Sequence, residues 1–363
     1  MVLGVFLHAS FLYAAGKTWL VKDNDSSSLL YWVNASIHFF RIPCFFILSG
    51  FFSQMLLHKY GQGKFLRARL RRLALPLLST AILFNSVQSY FLHAAKAHGW
   101  SLAGFLASPD YGDFWKSGEW IGHLWFLVDV LIYSAVAAGL WGVWKRLRPH
   151  AAGIREHLSK SFPTLSRLLI GQGLFMLLLP AVQLAAFAAA SFLPFLYWNW
   201  GGLSGYELAF SFPYYFLGLL LFLEPRLRES FHRVRPWQIL SIPVAVALEF
   251  LLDALSGSDA ARAAIFYLDA YVVWCCCALL FAAFRFLLNR KYRIFVYLSE
   301  ASYSIYLFHH VCVVGLGLYM ARKEWNVFLE FGLILGVSLA VSLAFHHYLV
   351  LRVRVLRLLF TGK

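Results

Sequence analysis

A chain of 363 residues with 61% apolar and only 13% charged side chains, and a mean hydropathy of +0.67, has too little polar surface to stay in water. Hydrocarbon is its natural solvent, and no stretch is polar for long enough to form a soluble domain, so residues 1–363 read as a single integral-membrane domain. The formal net charge of +15 therefore does not mark a nucleic-acid binder, which would need a soluble basic domain.

A spanning helix needs roughly 20 mainly apolar residues, and about ten segments meet that criterion. The first, Met1 to Ala15, is short, and it lacks the basic region and cleavage site of a removable leader. The second covers Leu30 to Leu57, the third Leu73 to Ala95, the fourth Gly122 to Trp144 and the fifth Leu168 to Leu193. The sixth covers Tyr206 to Leu223, the seventh Trp237 to Leu255, the eighth Ala263 to Leu288, the ninth Ile294 to Ala321 and the tenth Val327 to Leu351. The predicted fold is all-α, a polytopic membrane bundle.

Basic residues fall in alternate links. Lys59, Lys64, Arg67, Arg69, Arg71 and Arg72 follow the second segment, and Lys145, Arg146, Arg148, Arg155, Lys160 and Arg167 follow the fourth. Arg226, Arg228, Arg233 and Arg235 follow the sixth, Arg285, Arg290, Lys291 and Arg293 lie around the end of the eighth, and Arg352, Arg354, Arg357 and Lys363 lie in the tail. The intervening links hold far fewer. The positive-inside bias then puts both termini in the cytoplasm. The uncharged link with Tyr197, Trp198 and Trp200 suits an interfacial aromatic belt.

Five cysteines, all in apolar stretches, show neither zinc-site nor disulfide-framework spacing and read as small core or lipid-facing residues. No metal is expected. Ionisable groups at membrane depth are costly, by about 2.5–3.5 kcal/mol on insertion scales, and so mark candidate sites. Their bland alternative is a satisfied bond between helices. His8 lies roughly 12 Å along the first segment. A neutral imidazole there could take a proton from a hydroxyl, or could simply pack. His38 and Arg41 share a helical face; Arg41 must meet an anion, water or a buried acid such as Asp129, Glu207, Asp269 or Glu300. Pro43 invites a kink, and Ser49-Gly50 allows close approach of a helix or ligand.

Arg69 and Arg72, one turn apart, could grip phosphates or serve as a cytoplasmic anchor. His123 opens the fourth segment at the outer face, as a site residue or an anchor. His309 and His310 follow Tyr306, with His309 near mid-membrane. Adjacent residues cannot share a helical face, so one would line a cavity and the other contact a neighbouring helix. The sequence has no phosphate-binding glycine loop, no His-Glu-x-x-His and no nucleophile elbow. A base and cations without an obvious protein nucleophile favour direct transfer of an activated group to an external hydroxyl.

An ordered set of pieces resembles the membrane acyltransferase 3 family, particularly its glucan-biosynthesis branch. The pieces are His8 with Ser10 to Tyr13, Ile37-His38-Phe39-Phe40-Arg41 leading to Ser49-Gly50, and Arg69-x-x-Arg72 before Pro76. They continue with His123-Leu124-Trp125, Tyr215-Phe216-Leu217-Gly218, Tyr306-Leu307-Phe308-His309-His310 and the tail from Leu358 to Lys363. The resemblance covers nearly the whole chain.

It implies a ten-helix protein of the bacterial inner membrane that moves acyl groups from cytoplasmic acyl-CoA, succinyl-CoA or acetyl-CoA, to hydroxyls of an extracytoplasmic carbohydrate. It also implies that His8 is catalytic and that Arg69 and Arg72 hold the CoA phosphates. His309 or His310 could relay the proton. His38, Arg41, Ser49, His123 and Tyr306 are candidates for binding substrate or the oxyanion. The family's arginine upstream of His8 would fall before Met1, so either the start is assigned too late or this protein lacks it. Val311 stands where a proline often follows the histidine pair. A glycan transporter or flippase with a histidine proton relay, and a structural membrane subunit, are the rival classes. The partners expected are the lipid bilayer, acyl-CoA and the carbohydrate, with a homo-oligomer left open and no nucleic acid.

Overall fold

The computed structural model describes residues 2–17, 19–96, 99–161, 164, 167–255, 257–288, 292–323 and 325–363, with the side chains of 148–161, 167 and 255 left aside. The basic residues Arg148, Arg155, Lys160, Arg167, Arg290 and Lys291 fall outside the described side chains. The described chain is almost wholly helical, with one small antiparallel hairpin that the all-α expectation did not include. That hairpin pairs β1 (Asn199–Trp200) with β2 (Leu203–Ser204).

Short α1 (Val2–Phe11) leads to long α2 (Ser28–Tyr60), which continues through Pro43. Ser27 caps α2 by accepting from the Leu30 amide. At Gly61, φ is +74°, a conformation that costs glycine little, and the chain turns back there. Arg69 reaches Ser53 across this turn, eight residues on either side of it, so the next rod runs antiparallel to α2.

That rod, α3, joins helical pieces Gln62–Arg69, Leu75–Thr80 and Ser86–Lys96 through π-helical turns Leu70–Ala74 and Ala81–Asn85. Sequence hydropathy places its start near Leu73. The charged first turns are helical nonetheless, because their apolar members Phe65 and Leu73 are buried while Lys64, Arg67, Arg71 and Arg72 project outward.

Two short helices follow, α4 (Leu102–Ala107) and α5 (Pro109–Lys116), and then α6 (Trp125–Ser161) and α7 (Phe175–Ala190). Beyond the hairpin come α8 (Gly205–Leu223), α9 (Pro225–Phe231), α10 (Pro236–Leu255) and α11 (Asp259–Leu287). The chain ends with α12 (Arg293–Met320), α13 (Val327–Phe345, prolonged by the π-helical turn His346–Val350) and amphipathic α14 (Arg354–Thr361). Among the described residues, seven helical stretches are long and apolar enough to cross a membrane, one of which, Ser28–Lys96, contains both α2 and α3. The outer faces of these helices carry exposed apolar side chains, such as Leu240, Val244 and Phe250 on α10, as contact with lipid requires.

α2 and α8 pack backbone to backbone. A Cβ on Gly50 would stand 2.0 Å from the Tyr215 carbonyl oxygen, and one on Gly218 would stand 2.1 Å from that of Ile47. Two facing glycines let the backbones touch, which is how helices associate where lipid removes the hydrophobic drive. Phe46, Tyr133, Tyr215 and Trp274 fill the core around this contact. The second core surrounds α1, with Val5, Leu12, Ile305, Val313 and Ile334. Although α1 has only 10 residues, polar bonds fix it. Asn34 donates to the Leu7 carbonyl and to Ser10 Oγ, and the Tyr13 hydroxyl donates to Glu330.

Candidate active site

α1, α3, α6 and α12 converge on four imidazoles. The His8 ring centroid lies 5.2 Å from that of His309 and 4.8 Å from that of His310. His123, in the short 3-10 turn Gly122–Leu124 that precedes α6, stacks on His310 at 4.3 Å with an interplanar angle of 6°. It also lies 5.6 Å from His309. His123, His309 and His310 are buried, whereas His8 retains partial exposure. Trp19, from the link after α1, closes the cluster over His310 at 5.4 Å.

The sequence expectation for His309 and His310 was divided: one ring toward a cavity, the other toward a neighbour. In the structure both join the cluster, with centroids 6.0 Å apart and planes at 87°. The α-helical step separates them by roughly 100°, yet the His8 ring lies 5.2 Å from one and 4.8 Å from the other, so both rings flank it.

Hydrogen bonds fix which nitrogens are basic. His309 Nδ1 lies 2.8 Å from the Ile305 carbonyl, and a carbonyl only accepts, so Nδ1 carries the proton. His309 Nε2 is then the lone-pair nitrogen, and it is buried without a partner. His310 Nδ1 lies 2.5 Å from Gln88 Oε1 on α3, which assigns its proton in the same way. Among the described residues His8 Nδ1 and both nitrogens of His123 have no hydrogen-bond partner. Tyr306 donates its hydroxyl proton to the His123 carbonyl at 2.7 Å, holding the 3-10 turn against α12.

Arg41 reaches α1 at Gly4, where an added Cβ would stand 3.0 Å from Nη1. Gly4 and His8 are one helical turn apart, so the guanidinium adjoins the histidines. Its Nε is buried without a partner. The sequence offered Asp129, Glu207, Asp269 or Glu300 as its partner; among the described residues none of them forms an ion pair with it. Asp129, Glu207 and Asp269 instead line a cavity of about 410 Å³ between α2, α6, α8 and α11, with His38 on its wall.

The remaining candidates lie apart. Ser49 is two turns beyond Arg41 on α2, roughly 12 Å along the axis, and its neighbour Gly50 meets α8 rather than the histidines. Arg69 is separated from Gln88 by 19 residues of α3, roughly 28 Å of helix. Its Nη2 lies 2.5 Å from Ser53 Oγ, and its Nε is buried and unpartnered. Arg72 is exposed, and its backbone carbonyl accepts from Tyr303. The tail packs on this segment, since a Cβ on Gly362 would meet the Arg71 carbonyl oxygen at 2.3 Å. Gln88 and Trp19 were not singled out in the sequence; a neutral amide and an indole in moderately apolar segments carry no signal until the fold brings them to the rings. Among the described residues no group of His, Cys, Asp and Glu has the arrangement of a metal site.

Fold and site define a multi-pass membrane protein with an imidazole-rich interior and an unneutralised arginine beside it. The acyltransferase 3 model, described as an acyltransferase domain, matches residues 1–347, and the chain belongs to that family of acyltransferases. It is similar to glucans biosynthesis protein C of Escherichia coli K12, with 29% identity over 374 aligned residues that cover 100% of this chain and 92% of the relative. The protein of the same name from Escherichia coli SMS-3-5 is 28% identical with the same coverage. No solved structure matches.

Proposed function

We propose that the chain is an O-acyltransferase of the bacterial inner membrane, carrying a succinyl or acetyl group from cytoplasmic acyl-CoA to hydroxyls of a periplasmic glucan or a similar envelope carbohydrate. It crosses the membrane ten times with both termini in the cytoplasm. Separating α2 from α3, and adding the two shorter apolar helices α1 and α7, brings the seven long stretches to ten. The positive-inside bias supplies the direction. The name of the relatives supports a glucan as the acceptor.

One observation carries the reading: partly exposed His8 stands among buried imidazoles that have free lone pairs, next to an arginine that pairs with no acid among the described residues. His8 accepts the proton of the acceptor hydroxyl as its oxygen attacks the thioester carbonyl carbon. Negative charge then collects on the carbonyl oxygen, where the Arg41 guanidinium is suited to receive it. When the carbon–sulfur bond breaks, the CoA thiolate leaves and takes up the proton held by the histidines. His309 and His310 extend His8 as a short relay. The CoA phosphates rest on Arg69 and Arg72, and the acyl-bearing arm runs from there toward His8.

The test uses the full chain in membrane vesicles with labelled acyl-CoA and a neutral glucan oligosaccharide. His8→Ala should lower transfer by about 10²–10⁴-fold, the usual contribution of a positioned base. Wild-type transfer by a well-folded His8→Ala protein would refute the assignment. Movement of the glucan across the membrane without consumption of acyl-CoA would identify a transporter instead.

A further inference from the structure

The cavity between α2, α6, α8 and α11 is not explained by the histidine cluster. Its walls include His38, Trp125, Asp129, Glu207, Tyr214 and Asp269, and its volume of about 410 Å³ is in the range of small-molecule sites. Asp129 is 3% exposed, and no hydrogen bond or ion pair engages it among the described residues. Glu207 stands in the first turn of α8, near enough to Asp129 for their charges to interact, and is exposed; so is Asp269. Neither forms an ion pair with a Lys or Arg among the described residues. A buried carboxylate without a donor is costly unless something absent supplies one.

The cavity also adjoins the reacting centre. His38 on its wall is an electrostatic neighbour of His8, and Asp129 is one of Tyr306, the residue that holds His123. A group seated there lies on the His8 side of the bundle. The hairpin residues Gly202 and Ser204 frame it, at the end of the bundle opposite the Gly61 turn.

Resting on the reading above, we propose that this cavity is the acceptor subsite: it takes one uncharged hexose unit and rejects a unit that already bears an acidic substituent. A hexose brings what the walls lack, several hydroxyl donors for the oxygens of Asp129, Glu207 and Asp269. Trp125 and Tyr214 on its wall supply aromatic surface for the apolar C–H side of the sugar. A succinylated unit would place a further carboxylate beside Glu207 and Asp269, and like charges without counterions repel. Neutral acceptor is thus admitted and anionic product expelled, so the cavity limits substitution to one group per unit. An acetylated unit, being neutral, meets no such barrier.

The full chain in lipid nanodiscs is assayed with labelled acyl-CoA and three acceptors: a neutral glucan oligosaccharide, and the same oligosaccharide with each unit carrying either one acetyl or one succinyl group. The succinylated acceptor should show a KM about tenfold or more above the other two, the fold-change that 1.4 kcal/mol produces. Glu207→Gln combined with Asp269→Asn should close that gap to about twofold, and Asp129→Asn should raise the KM for the neutral acceptor about tenfold. Folding of the variants is checked by CoA binding, whose proposed phosphate contacts Arg69 and Arg72 are not among the cavity's lining residues. Equal KM values in the wild type, or a gap that survives the double substitution, overturn the proposal. So does a neutral-acceptor KM unchanged by Asp129→Asn. Transfer that requires Na⁺ or K⁺, with sugar KM indifferent to all three substitutions, would make the cavity a cation site. A wild-type chain that consumes acyl-CoA but fails these tests loses only the subsite; one that transfers to no carbohydrate loses the parent reading as well.

Discussion

Gln88→Leu isolates what the hydrogen bond to His310 contributes. Leucine is close in size to glutamine, so the substitution removes the Oε1 acceptor 2.5 Å from His310 Nδ1 and leaves little empty space. Gln88 is 8% exposed and His310 3%, so water is poorly placed to substitute for the lost partner. A buried donor left unsatisfied costs about 1–3 kcal/mol. The imidazole can avoid that cost by moving its proton to Nε2, which removes the lone pair there, or by rotating, which breaks its 6° stack on His123 and its approach to His8 at 4.8 Å. If the whole cost falls on the transition state, kcat drops roughly 5- to 150-fold. The donor KM should stay constant, since Arg69 and Arg72, the proposed donor contacts, lie roughly 24–28 Å away along α3. Steady-state kinetics of the purified chain give the split between kcat and KM. Gln88→Glu retains an acceptor oxygen and the same tautomer, and should restore most of the lost rate. An undiminished kcat for Gln88→Leu, in a protein that binds donor normally, would show that His310 takes no part in positioning the cluster.

Three further expectations follow from neighbouring geometry. Arg41→Lys keeps the charge but loses the planar fork and the unpartnered Nε, so kcat should fall by about 10²–10³-fold with donor KM little changed, as measured by initial rates. Arg69→Gln removes a partly buried cation and should raise the donor KM by roughly 10- to 150-fold, the range for losing a charge-assisted bond of about 1.5–3 kcal/mol. Arg72→Gln, at an exposed position where water screens the charge, should raise it less. Gly218→Ala places a methyl group 2.1 Å from the Ile47 carbonyl and 2.8 Å from the Phe51 amide nitrogen, so α2 and α8 must separate. Overpacking of this kind costs about 1–3 kcal/mol, visible as a lower thermal midpoint in detergent, and an unchanged midpoint would mean the two helices do not touch there.

The helices were legible because hydrocarbon imposes a length on any segment that crosses it, and apolar runs of that length stand out in a sequence. The start of α3 was not, because hydropathy registers the arginines around Leu70 without registering that Phe65 and Leu73 face inward beside them. The identities of the histidines were visible for a similar reason of cost: an imidazole at depth needs a partner or a purpose. Their meeting was not visible, since His8, His123 and His309 are separated by more than a hundred residues and no periodicity relates different helices.

Arg41 shows how the two kinds of information combine. Its charge at depth demanded an explanation, and charge balance alone pointed to Asp129, Glu207, Asp269 or Glu300. The fold instead turns the first three carboxylates into a cavity of their own and leaves the guanidinium facing α1. Cation and anions are thus kept in adjoining but separate environments, which costs stability that a simple salt bridge would have avoided. Such unpaired charges of opposite sign, both near one histidine cluster, suit the proposed reaction, with an anionic donor beside the arginine and a neutral, hydroxyl-bearing acceptor beside the carboxylates.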